Sequence, residues 1–124
     1  MRRVDHFSRA WTALLAAVAE TPDEDFERPS GCVGWSVRNL ACHLVIEWTL
    51  HHLDLIAHLP NAADPPAETV AASRALLERI AGADFPKTLS DKDALLIGTG
   101  RRTLTTEEKA TLADFPAKLP LILG

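Results

Sequence analysis

The chain has 124 residues, of which 47% are hydrophobic and 24% charged, and its formal net charge is -4. This composition is too apolar for a disordered protein, and because the 13 Lys and Arg residues are spread along the chain, we expect no nucleic-acid partner. No apolar run is long enough to cross a membrane and none follows the first residues, so we expect no membrane contact and a cytoplasmic protein.

The length is typical of one domain, and we predict a single domain over residues 1–124. Ala and Leu are abundant, whereas Tyr is absent and the few aromatic residues are scattered. Because these are the preferences of helices rather than strands, the sequence predicts an all-α fold.

The first predicted helix covers residues 4–20. Its apolar side chains, among them Phe7, Trp11 and Val18, recur at spacings of three or four residues and mark one helical face. The following residues, 24–34, contain Gly and Pro and predict a loop.

The second predicted helix covers residues 37–58 and contains neither Gly nor Pro. Ser36 stands directly before it and suits the N-cap position. Apolar side chains occur on nearly every face, so we expect this to be the buried central helix.

A third helix is predicted over residues 65–81, with Asp64 as its cap and Gly82 as its terminator. Its apolar stripe includes Val70 and Leu77.

Two short helices follow, and each begins with a capping pattern. Ser90 precedes Asp93 by three residues, and Thr105 precedes Glu108 by the same spacing. The apolar tail, residues 115–124, contains two prolines and is predicted to pack across the bundle as an extended strap.

The second helix carries the candidate chemistry. His43, Glu47 and His51 follow one another at intervals of four residues, which places neighbouring side chains one turn apart on the same face. Such a pair suits two ligands of one divalent metal ion. The alternative is a solvated helix face or a structural hydrogen bond between Glu47 and a neighbouring histidine in the core.

One straight helix cannot supply all three ligands. His43 and His51 are separated by ~12 Å along the helix axis, whereas the donor atoms around a tetrahedral metal ion lie only ~3.4 Å apart. A third ligand must therefore come from a bend in the helix, from another helix or from a second chain.

Three segments resemble a known family. Residues 31–44, GCVGWSVRNLACHL, residues 47–55, EWTLHHLDL, and residues 98–101, GTGR, are similar to motifs of the DinB-like, mycothiol-dependent maleylpyruvate isomerase family. The resemblance covers most of the chain from Pro29 onward. It implies a DinB-like helical bundle.

The resemblance also implies a site and its cofactors. His43, Glu47 and His51 would bind a divalent metal ion, zinc or similar, which would lower the pKa of the thiol of mycothiol so that a thiolate exists at neutral pH. Among the neighbouring residues, Asp54 and His52 are candidates for orienting a ligand, and Arg101 for holding an anionic small-molecule substrate.

The sequence departs from the family where the two ligand motifs meet. The family separates them by a long stretch, but here only three residues stand between His43 and Glu47, which indicates an internal deletion. Two hypotheses follow. Either two copies pair as a homodimer that completes a reduced bundle and its metal site, or the chain is a non-catalytic helical binding or dimerisation module that has lost the site.

Overall fold

The structure is a computed structural model and describes residues 2–121. Within these residues the fold is all-α, as predicted, and no strand is formed. The elements are α1 (Arg2–Ala19), a short 3-10 helix (Asp23–Glu27), α2 (Val37–Ile56), α3 (Ala67–Ala81), α4 (Asp91–Gly98) and α5 (Thr106–Thr111). None of the described helices is long and apolar enough to cross a membrane.

The chain divides into two compact units, Met1–His43 and Leu44–Gly124, and the division falls within α2. In the first unit the loop before α2 is fixed by local bonds. The Ser30 hydroxyl donates to the Trp35 carbonyl at 2.8 Å, and the Arg38 guanidinium binds Glu27 and lies over the Phe26 ring at 5.5 Å. These contacts hold the 3-10 helix and the loop against the first turn of α2.

The second unit contains a hydrophobic core built from α2, α3, α4 and the chain that follows α5. Leu50, Leu77 and Leu95 are fully buried in it. The tail packs on this core because Phe85 stacks on Phe115 with ring centroids 4.9 Å apart. The predicted strap is therefore present up to residue 121, whereas residues 122–124 lie outside the described part of the chain.

Most of the predicted helix ends are confirmed. The side chain of Ser90 accepts a hydrogen bond from the Asp93 amide at 3.0 Å, and Thr105 and Glu108 form a complete capping box. Gly82 ends α3 in the left-handed conformation, with φ of 73°. The prediction that Asp64 caps α3 is wrong, because Pro66 occupies the N-cap position and Asp64 pairs with Lys92 instead, at 3.0 Å.

The expectation that α2 is the buried central helix holds for one face only. Its buried residues, Ile46, Thr49, Leu50 and Leu53, lie on one face, and Leu55 is 72% exposed. The physical reason lies in the second unit itself, where α3 and α4 have only 15 and 8 residues and offer too little apolar surface to enclose a third helix.

Arg74, whose side chain is 11% exposed, connects α3 to the segment that precedes α4. The guanidinium of Arg74 donates to the carbonyl oxygens of Phe85, Pro86 and Leu89 at 3.1, 3.0 and 2.6 Å. Glu78 lies beside it and accepts from the Phe85 amide at 2.7 Å. The polar backbone of this connection is therefore satisfied by side chains of α3 rather than by a strand or helix.

Candidate functional site

Three of the predicted site residues share one face of α2. Glu47, His51 and Asp54 are spaced by four and three residues, so the helical repeat brings their side chains together. The helix is established before them because Ser36 accepts a hydrogen bond from the Asn39 amide at 3.1 Å, as its predicted N-cap role requires. Local sequence therefore positions this part of the site.

His51 lies between two carboxylates. Its Nε2 atom is 3.3 Å from Oε2 of Glu47, and its Nδ1 atom is 3.3 Å from Oδ2 of Asp54. A neutral imidazole carries one N–H group and can donate to only one of these acids. The other ring nitrogen then faces a carboxylate with its lone pair, an arrangement that is favourable only when a proton or a metal cation stands between them.

Asp54 is the better-anchored of the two acids. Arg101 donates to it twice, from Nε to Oδ1 at 2.7 Å and from a terminal nitrogen to Oδ2 at 2.9 Å. The Arg101 hydrogen bonds lower the pKa of Asp54, and the contact with His51 lowers it further. Asp54 is therefore an anchored anion that can accept from Nδ1 of His51, and in that tautomer Nε2 faces Glu47.

The turn after α4 explains how Arg101 reaches this position. Gly100 has a φ of 74°, in the left-handed region. The Gly100 amide donates to Ile97 and the Arg101 amide donates back to Leu96 at 2.8 Å, which together form a Schellman motif. The segment GTGR thus ends a helix and directs the arginine toward α2 in the second unit.

The third predicted ligand does not join this group. His43 belongs to the first unit, where its ring contacts the Trp35 ring edge-on with centroids 4.9 Å apart. Across residues 2–121, no three His, Cys, Asp or Glu side chains are arranged to hold a metal ion. Of the three predicted ligands, Glu47 and His51 are the two whose side chains lie together, at 3.3 Å.

His52 contacts the backbone of a neighbouring loop. Its Nε2 atom lies 2.9 Å from the carbonyl oxygen of Ala63. The histidine therefore joins α2 to the loop between α2 and α3. Its predicted role in orienting a ligand remains a prediction.

A cavity of about 500 Å³ adjoins the Asp54–Arg101 pair. Its wall is apolar on the α2 side, where Leu53 and Ile56 contribute, and charged on the side of Lys92 and Arg102. The volume is in the range of small-molecule sites. Sequence reasoning missed Lys92, since its partner Asp64 is 28 positions away and no local pattern links them.

The fold and this group of residues define a class: an all-α domain with a histidine held between two acids beside a small cavity. The family model of the mycothiol maleylpyruvate isomerase N-terminal domain matches residues 7–116. The chain belongs to this family, which confirms the resemblance seen in the sequence. Comparisons with curated proteins and with solved structures gave no significant match.

Proposed function

We propose that this domain binds a divalent metal ion, zinc or similar, together with a low-molecular-weight thiol such as mycothiol. Glu47 and His51 are the proposed metal ligands on α2, and His43 is the third ligand that the family resemblance implies. The observation that carries the proposal is the placement of His51, whose two ring nitrogens each lie 3.3 Å from a carboxylate oxygen.

The carboxylate of Asp54 can orient His51 for metal binding. Histidines that bind metal ions generally donate their other N–H to a carboxylate or carbonyl, which fixes the ring and makes the ligating nitrogen more basic. Asp54 can accept in this way, and Arg101 keeps it ionised and in place. Asp54 and Arg101 are therefore proposed as positioning residues for His51.

The proposed partners are the thiol and a small-molecule substrate. When bound, a metal ion supplies Lewis acidity, which lowers the pKa of a coordinated thiol. The cavity beside Asp54 offers about 500 Å³ for the substrate, with apolar surface from Leu53 and Ile56 and polar surface from the Lys92–Asp64 ion pair. This supports binding of a molecule that has both apolar and polar parts.

Zinc binding by three variants tests the proposal. Competition with a chromogenic chelator should show a strong loss of zinc affinity in Glu47→Gln and in His51→Ala. The matched control is His6→Ala, which removes an exposed histidine of α1 and should bind zinc as the parent does. A parent protein without zinc affinity, or equal affinity in all three variants, would overturn the proposal.

A second candidate is a metal-free binding module. It is favoured by the finding that the described residues contain no three-ligand group. Such a module would use the cavity at Lys92 and Arg102 to hold a small molecule without chemistry. Chelator-treated protein that binds ligands in this cavity as well as zinc-treated protein does would favour this second function.

A further inference from the structure

The cavity beside Asp54 is bounded in part by the loop that joins α2 to α3. The loop residues that line it are Ala57, Leu59, Ala62 and Asp64. We propose that residues 57–64 form a lid over this cavity, that two polar contacts hold the lid closed, and that its opening admits a small molecule. The inference concerns access to the cavity, and it goes beyond metal binding and does not depend on it.

The first contact ties the lid to α4. Nζ of Lys92 donates to Oδ1 of Asp64 at 3.0 Å, and both residues line the cavity. The two side chains are 49% and 68% exposed. An exposed ion pair contributes little free energy and is screened by salt. This contact therefore breaks and forms again easily.

The second contact ties the lid to α2. Nε2 of His52 lies 2.9 Å from the carbonyl oxygen of Ala63. A carbonyl oxygen can only accept, so in this hydrogen bond Nε2 carries the proton. Ala63 directly precedes Asp64 in the sequence, so the two contacts hold neighbouring residues of the lid to two different helices.

The backbone of the lid has few bonds of its own. In the part of the chain that the structure describes, no hydrogen bond between backbone groups involves residues 60–65. Asn61 has a φ of 63°, a left-handed conformation that asparagine tolerates better than most residues. Pro65 is buried and fixes the end of the lid before α3. Such a segment can open locally while the core stays folded.

The closed lid also removes little apolar surface from water. Leu59 is 54% exposed and Ala62 is only half-buried. Because hydrophobic stabilisation follows the buried apolar area, the burial of these side chains opposes opening only weakly. The two polar contacts therefore determine how much of the protein has a closed lid.

Limited proteolysis with thermolysin measures the opening. This protease cleaves before large apolar residues and needs an accessible, extended segment, which Leu59 provides when the lid is open. When the lid closes faster than cleavage occurs, the cleavage rate follows the open population. We expect cleavage at Leu59, identified by mass spectrometry, to be about twofold to fivefold faster in Asp64→Asn and in His52→Ala than in the parent.

Two further variants make this comparison specific. His52→Gln keeps an N–H donor on a side chain of similar length and should be cleaved nearly as slowly as the parent. Asp84→Asn removes one negative charge from an exposed position between α3 and α4 and is the matched control for Asp64→Asn. Its cleavage rate at Leu59 should equal that of the parent.

A thiol in the wall of the cavity tests whether the loop covers it. Leu96 of α4 lines the cavity and is half-buried. Leu96→Cys carries a single thiol when the two exposed native cysteines, Cys32 and Cys42, are replaced by serine. Its reaction with a maleimide should accelerate when Asp64→Asn is added, and also when salt is raised to about 1 M, which screens the ion pair.

The outcomes decide the inference as follows. Cleavage rates of Asp64→Asn and His52→Ala equal to that of the parent would overturn it, and so would an equal acceleration in Asp84→Asn. Faster cleavage without faster labelling of Leu96→Cys would show that the loop moves without covering the cavity, which also overturns the lid. Circular dichroism verifies that the helices of each variant are intact. Neither assay contains zinc, so both are independent of the proposed metal binding.

Discussion

Arg101 and Asp54 are 47 positions apart in the sequence and are joined by two hydrogen bonds of 2.7 and 2.9 Å. The pair connects the turn after α4 to the face of α2 that carries His51. Because Asp54 also contacts Nδ1 of His51, the packing of α4 controls the orientation of a candidate metal ligand. The position of Asp54 therefore depends both on the helical repeat of α2 and on the tertiary fold of the second unit.

Removal of this anchor should weaken metal binding. Arg101→Gln cannot form the same charged pair, so Asp54 no longer holds His51 firmly. Loss of such a supporting partner typically lowers metal affinity by about 10- to 100-fold. Zinc competition measures the effect, with Arg79→Gln on the exposed surface of α3 as control. Equal zinc affinities in the two variants would show that Arg101 does not position the ligand.

Substitution of Gly100 should destabilise the turn that positions Arg101. Gly100 has a φ of 74°, which side chains adopt only with strain. We expect Gly100→Ala to lower the free energy of unfolding by about 1 kcal/mol and to reduce zinc affinity as well. Gly31→Ala is the control, since no atom lies within 4 Å of the added methyl group. Chemical denaturation distinguishes them, and equal stabilities would contradict the role of the turn.

Arg74 is expected to contribute most to stability among the arginines described here. Its substitution by Ala leaves the carbonyl groups of Phe85 and Leu89 without the guanidinium donor, whereas the Pro86 carbonyl still accepts from the Leu89 amide at 3.0 Å. A buried polar group without a partner costs about 1–3 kcal/mol, so the free energy of unfolding should fall by about 2 kcal/mol or more. Arg79→Ala, on the exposed side of the same helix, should change it little. A small effect of Arg74→Ala would mean that water replaces the guanidinium.

Glu108 should make the stability of the fold depend on pH in the acid range. Hydrogen bonds from the Arg102 guanidinium and the Thr105 amide lower its pKa from 4.5 to about 2. A carboxyl whose pKa is lower in the folded state stabilises the fold above its unfolded pKa and loses this contribution as the pH falls through its folded pKa. The contribution of Glu108 should therefore disappear between about pH 4.5 and pH 2.

Thermal unfolding of Glu108→Gln across this acid range measures the contribution. The variant should lose less stability on acidification than the parent, because it has no carboxylate to protonate at this position. Glu107→Gln, a change in the same turn of α5, controls for the loss of one negative charge. A profile for Glu108→Gln that runs parallel to that of the parent would contradict the prediction.

The sequence predicted the helices well because their signals are local. The caps at Ser36, Ser90 and Thr105 and the terminator Gly82 act over three or four residues and appear in the structure as expected. Asp64 failed as a cap because its partner Lys92 lies on α4, and no local rule specifies that contact. The exposure of α2 was missed for a similar reason: burial depends on how much surface the other helices can cover.

In the candidate site, too, local features were predictable from the sequence and long-range contacts were not. The spacing of Glu47, His51 and Asp54 predicted that they share a face, since the helical repeat alone decides this. The two bonds from Arg101 and the cavity beside them depend on the path of the chain after α4 and could not be derived from spacing. Distance along the helix did indicate that His43 could not join the other two ligands within one straight helix.

The most direct test of this account is the zinc content of the purified protein by elemental mass spectrometry, after incubation with zinc and dialysis. The account predicts about one zinc ion per chain in the parent and a strong loss of bound zinc in Glu47→Gln and in His51→Ala. A parent protein that retains no zinc after dialysis would contradict the metal-binding function.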